Sequence, residues 1–317
     1  LSLGHILDKD GKKMSKSRGN VVNPWDHFNK EGSDSIRWYM MTQSAPWSPT
    51  NFDANGVRES YAKMFLTLWN VHRFHADYAA LDDFDADDAD GFVAVADRSP
   101  LDRWILSRLH TVANSYQDQF VDWDFHKAGR ELEAFVVNDL SNWYVRRSRR
   151  RLWDEADSLD KRACQHTLHE VLLTVCRLMA PVAPFMPDQI HRDLTGVSVH
   201  LADWPVGSSL VESNLPPQDW ALEQEMGLVR ALAETGRRVR VDADRRQRLP
   251  CRAGWIVGGP DIGRFHDLLA EELNVESLTT EDDLERFQRM VVEPNRKALG
   301  KKCRQDCWAK LTLTTYC

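Results

Sequence analysis

The chain predicts a mainly α-helical fold in three parts: a loop-and-helix segment over residues 1–50, a helical bundle over 51–205 and a small α+β domain over 206–317. Three observations predict it. Apolar residues recur at three- and four-residue steps through most of residues 58–195, the spacing of one face of a helix. No alternating strand pattern competes there. Past Trp204-Pro205, a polar stretch with prolines leads into a region where strand-like and helix-like runs alternate. A length of 317 residues agrees, because a domain usually takes roughly 100–200.

Taken in order, Asp8-Lys9-Asp10-Gly11 carries hairpin-turn chemistry and residues 12–20 form a polar loop. Asn23-Pro24 reads as an N-cap followed by proline at the first helical position, and Ser33-Asp34 as the cap of a second helix through Ile36, Tyr39 and Met40. Residues 45–49 break that helix. Tyr61, Met64, Phe65, Leu68, Val71 and His75 then mark a long amphipathic helix over 58–78, and an Asp-rich linker runs on to residue 90. Ser99-Pro100 opens a helix with the stripe Leu101, Ile105, Leu109, Val112, Tyr116 and Phe120. Another is expected over about 124–153, striped by Phe125, Ala128, Leu132, Phe135, Val136, Leu140 and Tyr144. A further stripe runs from Leu168 to Met179; Pro181, Pro184 and Pro187 punctuate its end, and a shorter helix follows over 185–194. These helices suit an antiparallel bundle. The last part shows a helix from Trp220 into a basic stretch over 237–248, strand-like residues at 254–259 and 289–293, and a helix over 267–273.

Composition narrows the function. With 42% hydrophobic and 28% charged residues and no apolar run near the roughly 20 that a bilayer requires, no membrane role is expected. The start, Leu-Ser-Leu-Gly-His, lacks an initiator Met and the charged and apolar regions of a secretory leader, and reads as a cut end. Six dispersed cysteines fit a reducing, cytoplasmic location. Cys303 and Cys307 find no second Cys or His pair at ligand spacing, so no bound metal is predicted. The net charge of −7 excludes a globally basic nucleic-acid binder and confines any such role to a local patch.

The most specific segment is Lys13-Met14-Ser15-Lys16-Ser17, continuing through Arg18-Gly19-Asn20-Val21-Val22-Asn23-Pro24. Two lysines on a loop with small hydroxyl neighbours can donate to phosphate oxygens, most strongly where negative charge is greatest. Lys13 and Lys16 are the candidate cations; Ser15 and Ser17 are short donors, and Met14 is an apolar anchor. On composition alone, a solvated basic turn is an equal alternative. A phosphate-binding Gly-rich loop is absent.

The second segment is Asn142-Trp143-Tyr144-Val145-Arg146-Arg147-Ser148-Arg149-Arg150-Arg151-Leu152-Trp153. Aromatic and guanidinium planes stack unpaired bases while cations hold phosphates, so the mixture suits a single-stranded RNA loop. Asn142, Trp143, Arg146, Arg147, Arg149, Arg150, Arg151 and Trp153 are the candidate contacts. The competing reading is an exposed charged face with Tyr144 in the core.

The 13–24 run resembles the second signature of class I aminoacyl-tRNA synthetases, and the 142–153 run resembles the anticodon-binding helix of their isoleucyl members. Asp102-Arg-Trp-Ile-Leu-Ser, Met179-Ala-Pro-Val-Ala-Pro-Phe, Ser198-Val-His-Leu-Ala-Asp-Trp-Pro and Val292-Glu-Pro-Asn-Arg-Lys-Ala-Leu-Gly extend the likeness over nearly the whole chain. The resemblance implies an ATP-contacting loop, Lys13 to Ser17, in which Lys16 is the leading and Lys13 the second transition-state contact as pyrophosphate leaves ATP, together with a connecting region, an anticodon-binding bundle and a C-terminal domain. It also implies isoleucine tRNA as partner, and ATP with Mg2+ as the needs of the full-length enzyme. The family's upstream nucleotide-binding signature and inserted editing domain have no counterpart in these residues, so the chain alone is expected to be inactive. A stand-alone, non-catalytic tRNA-binding module is the alternative. Residues 307–317 depart from the family pattern.

Overall fold

The computed structural model describes residues 3–88, 91–154, 158–206, 218–257 and 262–281. It divides into two compact units, Leu1–Asp219 and Trp220–Cys317.

In the first unit, β1 (Ile6–Leu7) is followed by a short 3-10 turn, Lys16–Arg18, and then by α1 (Pro24–Glu31) and α2 (Ser33–Gln43). Helix α1 begins as its sequence predicts: the Asn23 side chain accepts from the Trp25 amide, with Pro24 behind it. The start of α2 differs from expectation. Its N-cap is Gly32, at φ +80°, with no side-chain cap bond. Asp34 is instead buried, and its carboxylate accepts from the amides of Phe185 (3.1 Å) and Met186 (2.8 Å), at the start of a helix 150 residues away in sequence. The carboxylate thus satisfies orphan donors of another element rather than of its own.

β2 (Thr50–Asn51) pairs in parallel with β1, Ile6 opposite Thr50. The predicted long helix is realised as α3 (Ala54–Ser60), a π-helical stretch Tyr61–Leu66 and α4 (Thr67–Leu81), with Met64, Phe65, Leu68, Val71 and His75 buried. α5 (Pro100–Val121) is capped by Ser99, whose Oγ accepts from the Asp102 amide at 3.2 Å. The expected helix over 124–153 is likewise composite: α6 (Phe125–Ala134), a π-helical stretch Phe135–Val145, and α7 (Arg146–Trp153). α8 (Leu159–Met179) and α9 (Met186–Thr195) complete the bundle, the latter ending on Gly196 at φ +74°. α5 packs against α6 and α8, and α8 also against α4, α7 and α9. Trp104, Tyr116, Tyr144, Phe65 and Phe135 are fully buried there, each removing a large apolar surface from water.

In the second unit, α10 (Trp220–Asp242) leads into β3 (Cys251–Val257), α11 (His266–Leu273) and β4 (Val275–Glu281). The two strands run parallel, Cys251 opposite Val275, with α11 as the crossover. The predicted strand at 254–259 is therefore seen in its first part. β4 was not expected, because its polar Val275-Glu-Ser-Leu-Thr-Thr-Glu carries no apolar alternation. The expected strand at 289–293 and the atypical tail 307–317 lie outside the described residues, as do Cys303 and Cys307. Among the described residues no helix is long and apolar enough to cross a membrane.

Candidate functional site

The lysine loop is closed at its base by a side-chain clamp that the sequence did not announce. Gly11, at φ +77°, completes the turn that starts at Asp8, and Leu7 and Lys13 meet in an antiparallel bridge. The buried Asp8 carboxylate accepts from the amides of Asp10 (3.0 Å) and Lys12 (2.7 Å) through Oδ1, and from Asn20 Nδ2 (2.7 Å) through Oδ2. Asn20 in turn accepts from the Ser15 amide at 2.9 Å and donates to the Lys13 carbonyl at 3.3 Å. Asp8 and Asn20 therefore pin both ends of the loop. The hydrogen bond from Asn20, followed by that from the Lys12 amide, holds the Asp8 carboxyl below the usual carboxylate range.

Between those ends the chain makes one 3-10 turn, Lys16–Arg18, and leaves it through Gly19 at φ +66°. Lys13, Lys16 and Ser17 are exposed; Met14 and Ser15 are half-buried. Ser15 and Ser17 hydroxyls bond to each other at 2.7 Å. Among the described residues, neither lysine ammonium has an ion-pair or hydrogen-bond partner. A braced base carrying two uncommitted cations is an arrangement that can receive phosphate oxygens without first breaking protein contacts.

A neighbouring close approach holds the loop's leading strand. Gly4 donates to the Pro46 carbonyl at 2.8 Å, and a Cβ at residue 4 would lie 1.9 Å from the Ser48 carbonyl oxygen. Only glycine fits there.

The 142–153 candidates divide into two sets by helical phase. Asn142, Arg146, Arg149, Arg150 and Trp153 are exposed, and their spacing of four, three, one and three residues places them along one face. Trp153 is 58% exposed, unusual for so large an aromatic ring. Arg146 stands 5.8 Å over the Trp143 ring and donates to the Asn142 carbonyl, while Arg149 and Arg150 have no partner among the described residues.

The other set faces inward. Trp143, Tyr144, Ser148 and Leu152 are buried and Arg147 is half-buried. Arg151 is drawn into the fold as well. Its guanidinium grips the fully buried Asp102 carboxylate with two parallel bonds of 2.8 and 2.7 Å, and binds Asp160 at 2.7 and 2.8 Å. Tyr144 Oη donates to the same Asp102 at 2.5 Å. Burial, reinforced by the Asp102 charge, pushes the Tyr144 phenol far above its ordinary range, so it stays a donor. Arg151, a candidate RNA contact by composition, is thus placed among groups that hold α5, α7 and α8 together, and Trp143, another candidate, is buried. The signal was in the spacing: from Tyr144, steps of four and three reach Ser148 and Arg151 on the buried side.

Comparison with known proteins follows the same division. Residues 1–53 match the family model of class I tRNA synthetases (I, L, M and V), and residues 102–253 match that of the anticodon-binding domain of tRNA ligase. Isoleucine-tRNA ligase of Clostridium novyi is 38% identical over 306 residues, covering 94% of this chain and 28% of the relative. That of Porphyromonas gingivalis is 40% identical over 309 residues, covering 95% of this chain and 26% of the relative. The chain thus spans less than a third of the length of the curated relatives it matches. Over nearly its whole length it is similar to the C-terminal part of isoleucine-tRNA ligases, and the two family models that it matches are those of class I tRNA synthetases and of the anticodon-binding domain of tRNA ligase.

Proposed function

We propose that this chain supplies two working parts of an isoleucine-tRNA ligase, which activates isoleucine with ATP and transfers it to its tRNA: the lysine loop that meets the ATP phosphates, and the helix that reads the anticodon. The observation that carries the second role is the exposed face Asn142, Arg146, Arg149, Arg150 and Trp153. Two guanidinium groups without protein partners, an exposed indole and an amide lie on one rigid helix, a combination that holds phosphates and stacks unpaired bases together. Trp143, Arg147 and Arg151 orient that face rather than extend it.

For the first role, Lys16 and Lys13 donate to phosphate oxygens as negative charge accumulates, and Ser15 and Ser17 offer hydroxyl donors beside them. Class I synthetases work with ATP and Mg2+. The Asp8 carboxylate at the base of the loop is engaged in bracing it, accepting three hydrogen bonds. The catalytic residues that complete the reaction, like the domains that carry them, belong to the remainder of the relatives' length.

The test is equilibrium binding of the chain to isoleucine tRNA and to the same tRNA with its anticodon exchanged. Tighter binding of the first is expected, and Arg149→Ala with Arg150→Ala should reduce the difference. Equal affinity for the two tRNAs would overturn the anticodon reading.

A further inference from the structure

We propose that the arginine-rich turn after α10 is a second, sequence-independent contact for the RNA phosphodiester backbone, an inference that rests on reading the chain as a tRNA binder. Residues 237–252 hold seven arginines against two aspartates in a chain of net charge −7. Such concentration is local, and the fold sorts these arginines by task. Arg240 is buried and donates to the carbonyls of Leu249 (2.9 Å), Leu273 (2.6 Å) and Asn274 (2.9 Å). Arg237 pairs with Glu272 at 2.5 Å. These two build the turn.

Arg245, Arg246, Arg248 and Arg252 do not. All four are exposed, and none of their guanidinium groups has a partner among the described residues. Their backbone is nevertheless fixed. The Arg245 amide donates to the Arg240 carbonyl at 2.8 Å, and Asp244 takes φ +52°. Gln247 donates to the Glu272 carbonyl at 2.7 Å and accepts from Asn274 at 3.0 Å. The turn and the start of β3 are therefore held in shape while they display four cations that repel one another, none of them ion-paired among the described residues. A polyanion relieves that repulsion, and the fixed backbone keeps the ordering cost of binding low.

Phosphate is the matching chemistry, because the planar guanidinium donates two parallel bonds to it. RNA fits better than a lipid surface. Among the described residues the exposed large apolar side chains of the turn are Val241 and Leu249, 75% and 47% exposed, without the broad apolar face that an interfacial segment inserts. With no aromatic residue in the turn to stack a base, the contact should be blind to sequence.

The experiment compares the full chain with the Arg245→Gln, Arg246→Gln, Arg248→Gln triple variant. Affinity for isoleucine tRNA and for its anticodon-exchanged counterpart is measured across a salt series, with binding to phosphatidylserine vesicles as a parallel arm. The triple variant should bind both tRNAs on the order of tenfold or more weakly, with the ratio between them unchanged, and the slope of log affinity against log salt should fall by about two to three. The melting temperature should not move, since the removed groups touch nothing; if it does, the single variants, each expected to lower the slope by about one, decide the matter. An unchanged slope would overturn the proposal, as would loss of vesicle binding with tRNA binding intact. Failure of the anticodon reading looks different: the wild-type chain would then show no preference between the two tRNAs.

Discussion

Arg150 and Arg151 are adjacent, identical in chemistry and opposite in surroundings, and alanine at each should produce opposite results. Arg151→Ala strips the fully buried Asp102 carboxylate of two bonds at 2.8 and 2.7 Å, leaving it Tyr144, Ser99 Oγ and its own helix start as partners. A buried ion pair that loses one member typically costs about 3–5 kcal/mol, because the remaining charge is left uncompensated in a poorly polarisable interior. For a unit of this size that is a fall in melting temperature of roughly 6–20 °C. Arg150→Ala removes an exposed, unpartnered side chain and should stay within about 0.5 kcal/mol of the parent, yet it should weaken tRNA binding and lower the salt slope by about one. The assay is a pair of denaturant titrations with matched tRNA-binding isotherms. A third variant, Arg151→Met with Asp102→Leu, should recover much of the lost stability, since no charge is then stranded. Equal and small stability losses for Arg150→Ala and Arg151→Ala would refute the division of the helix into an anchoring and a displaying face.

Three further outcomes follow from the same structure. Burial, then the neighbouring histidines, push the His75 imidazole down to about 3 and that of His169 to about 4, so both are neutral in the fold, whereas in the unfolded chain they titrate near 6.5. Lowering the pH below about 6.5 therefore protonates the unfolded state first and erodes stability, by about 4 kcal/mol in total at pH 5; urea midpoints at pH 7.5 and 5 measure this, and His75→Leu should roughly halve the difference. Gly4→Ala would place a Cβ 1.9 Å from the Ser48 carbonyl oxygen, so the β1–β2 contact should open and hydrogen exchange of the Thr50 and Phe52 amides should quicken, with little change in the α8 core. Asn20→Ala removes the bonds to Asp8, Lys13 and Ser15, about 1–2 kcal/mol of local bracing; the Ser15 amide should lose exchange protection. Because the Asp8 carboxyl is held below its ordinary range, that bracing in the parent is present above an ordinary carboxylate pKa and lost as the pH falls through the depressed one.

The helices were legible because burying a face is a repetitive demand: Leu101, Ile105, Leu109, Val112 and Tyr116 recur at helical spacing and all are buried. The helix caps Asn23 and Ser99 were legible for a local reason, since each acts on an amide two or three residues away. Asp34 shows where local reading stops. Its place beside Ser33 suggests a cap for α2, and it caps α9 instead, a pairing that spans 151 and 152 positions and leaves no pattern in either segment. The β1–β2 pairing is silent for the same reason, as strands of two residues have no periodicity to display.

The candidate sites follow the same rule one level up. Lys13 and Lys16 were visible as residue types, but their readiness depends on Asp8 and Asn20, which look like ordinary loop residues until the chain closes and brings them to 2.7 Å. In the 142–153 helix, composition nominates eight side chains without regard to phase, and the fold buries Trp143 and half-buries Arg147 and Arg151 while the other five stay exposed. Helical geometry supplies the phase from the sequence alone: a run of five arginines over six positions covers more than one turn, so at least one guanidinium must point at the core, and a core can accept it only if a carboxylate waits there. Asp102 is that carboxylate, on α5, 49 residues earlier. The burial of Arg151 is thus the condition on which Arg149 and Arg150 are displayed, since it fixes the rotation of the helix about its own axis. A change at Asp102 should accordingly disturb tRNA binding without Asp102 ever touching RNA.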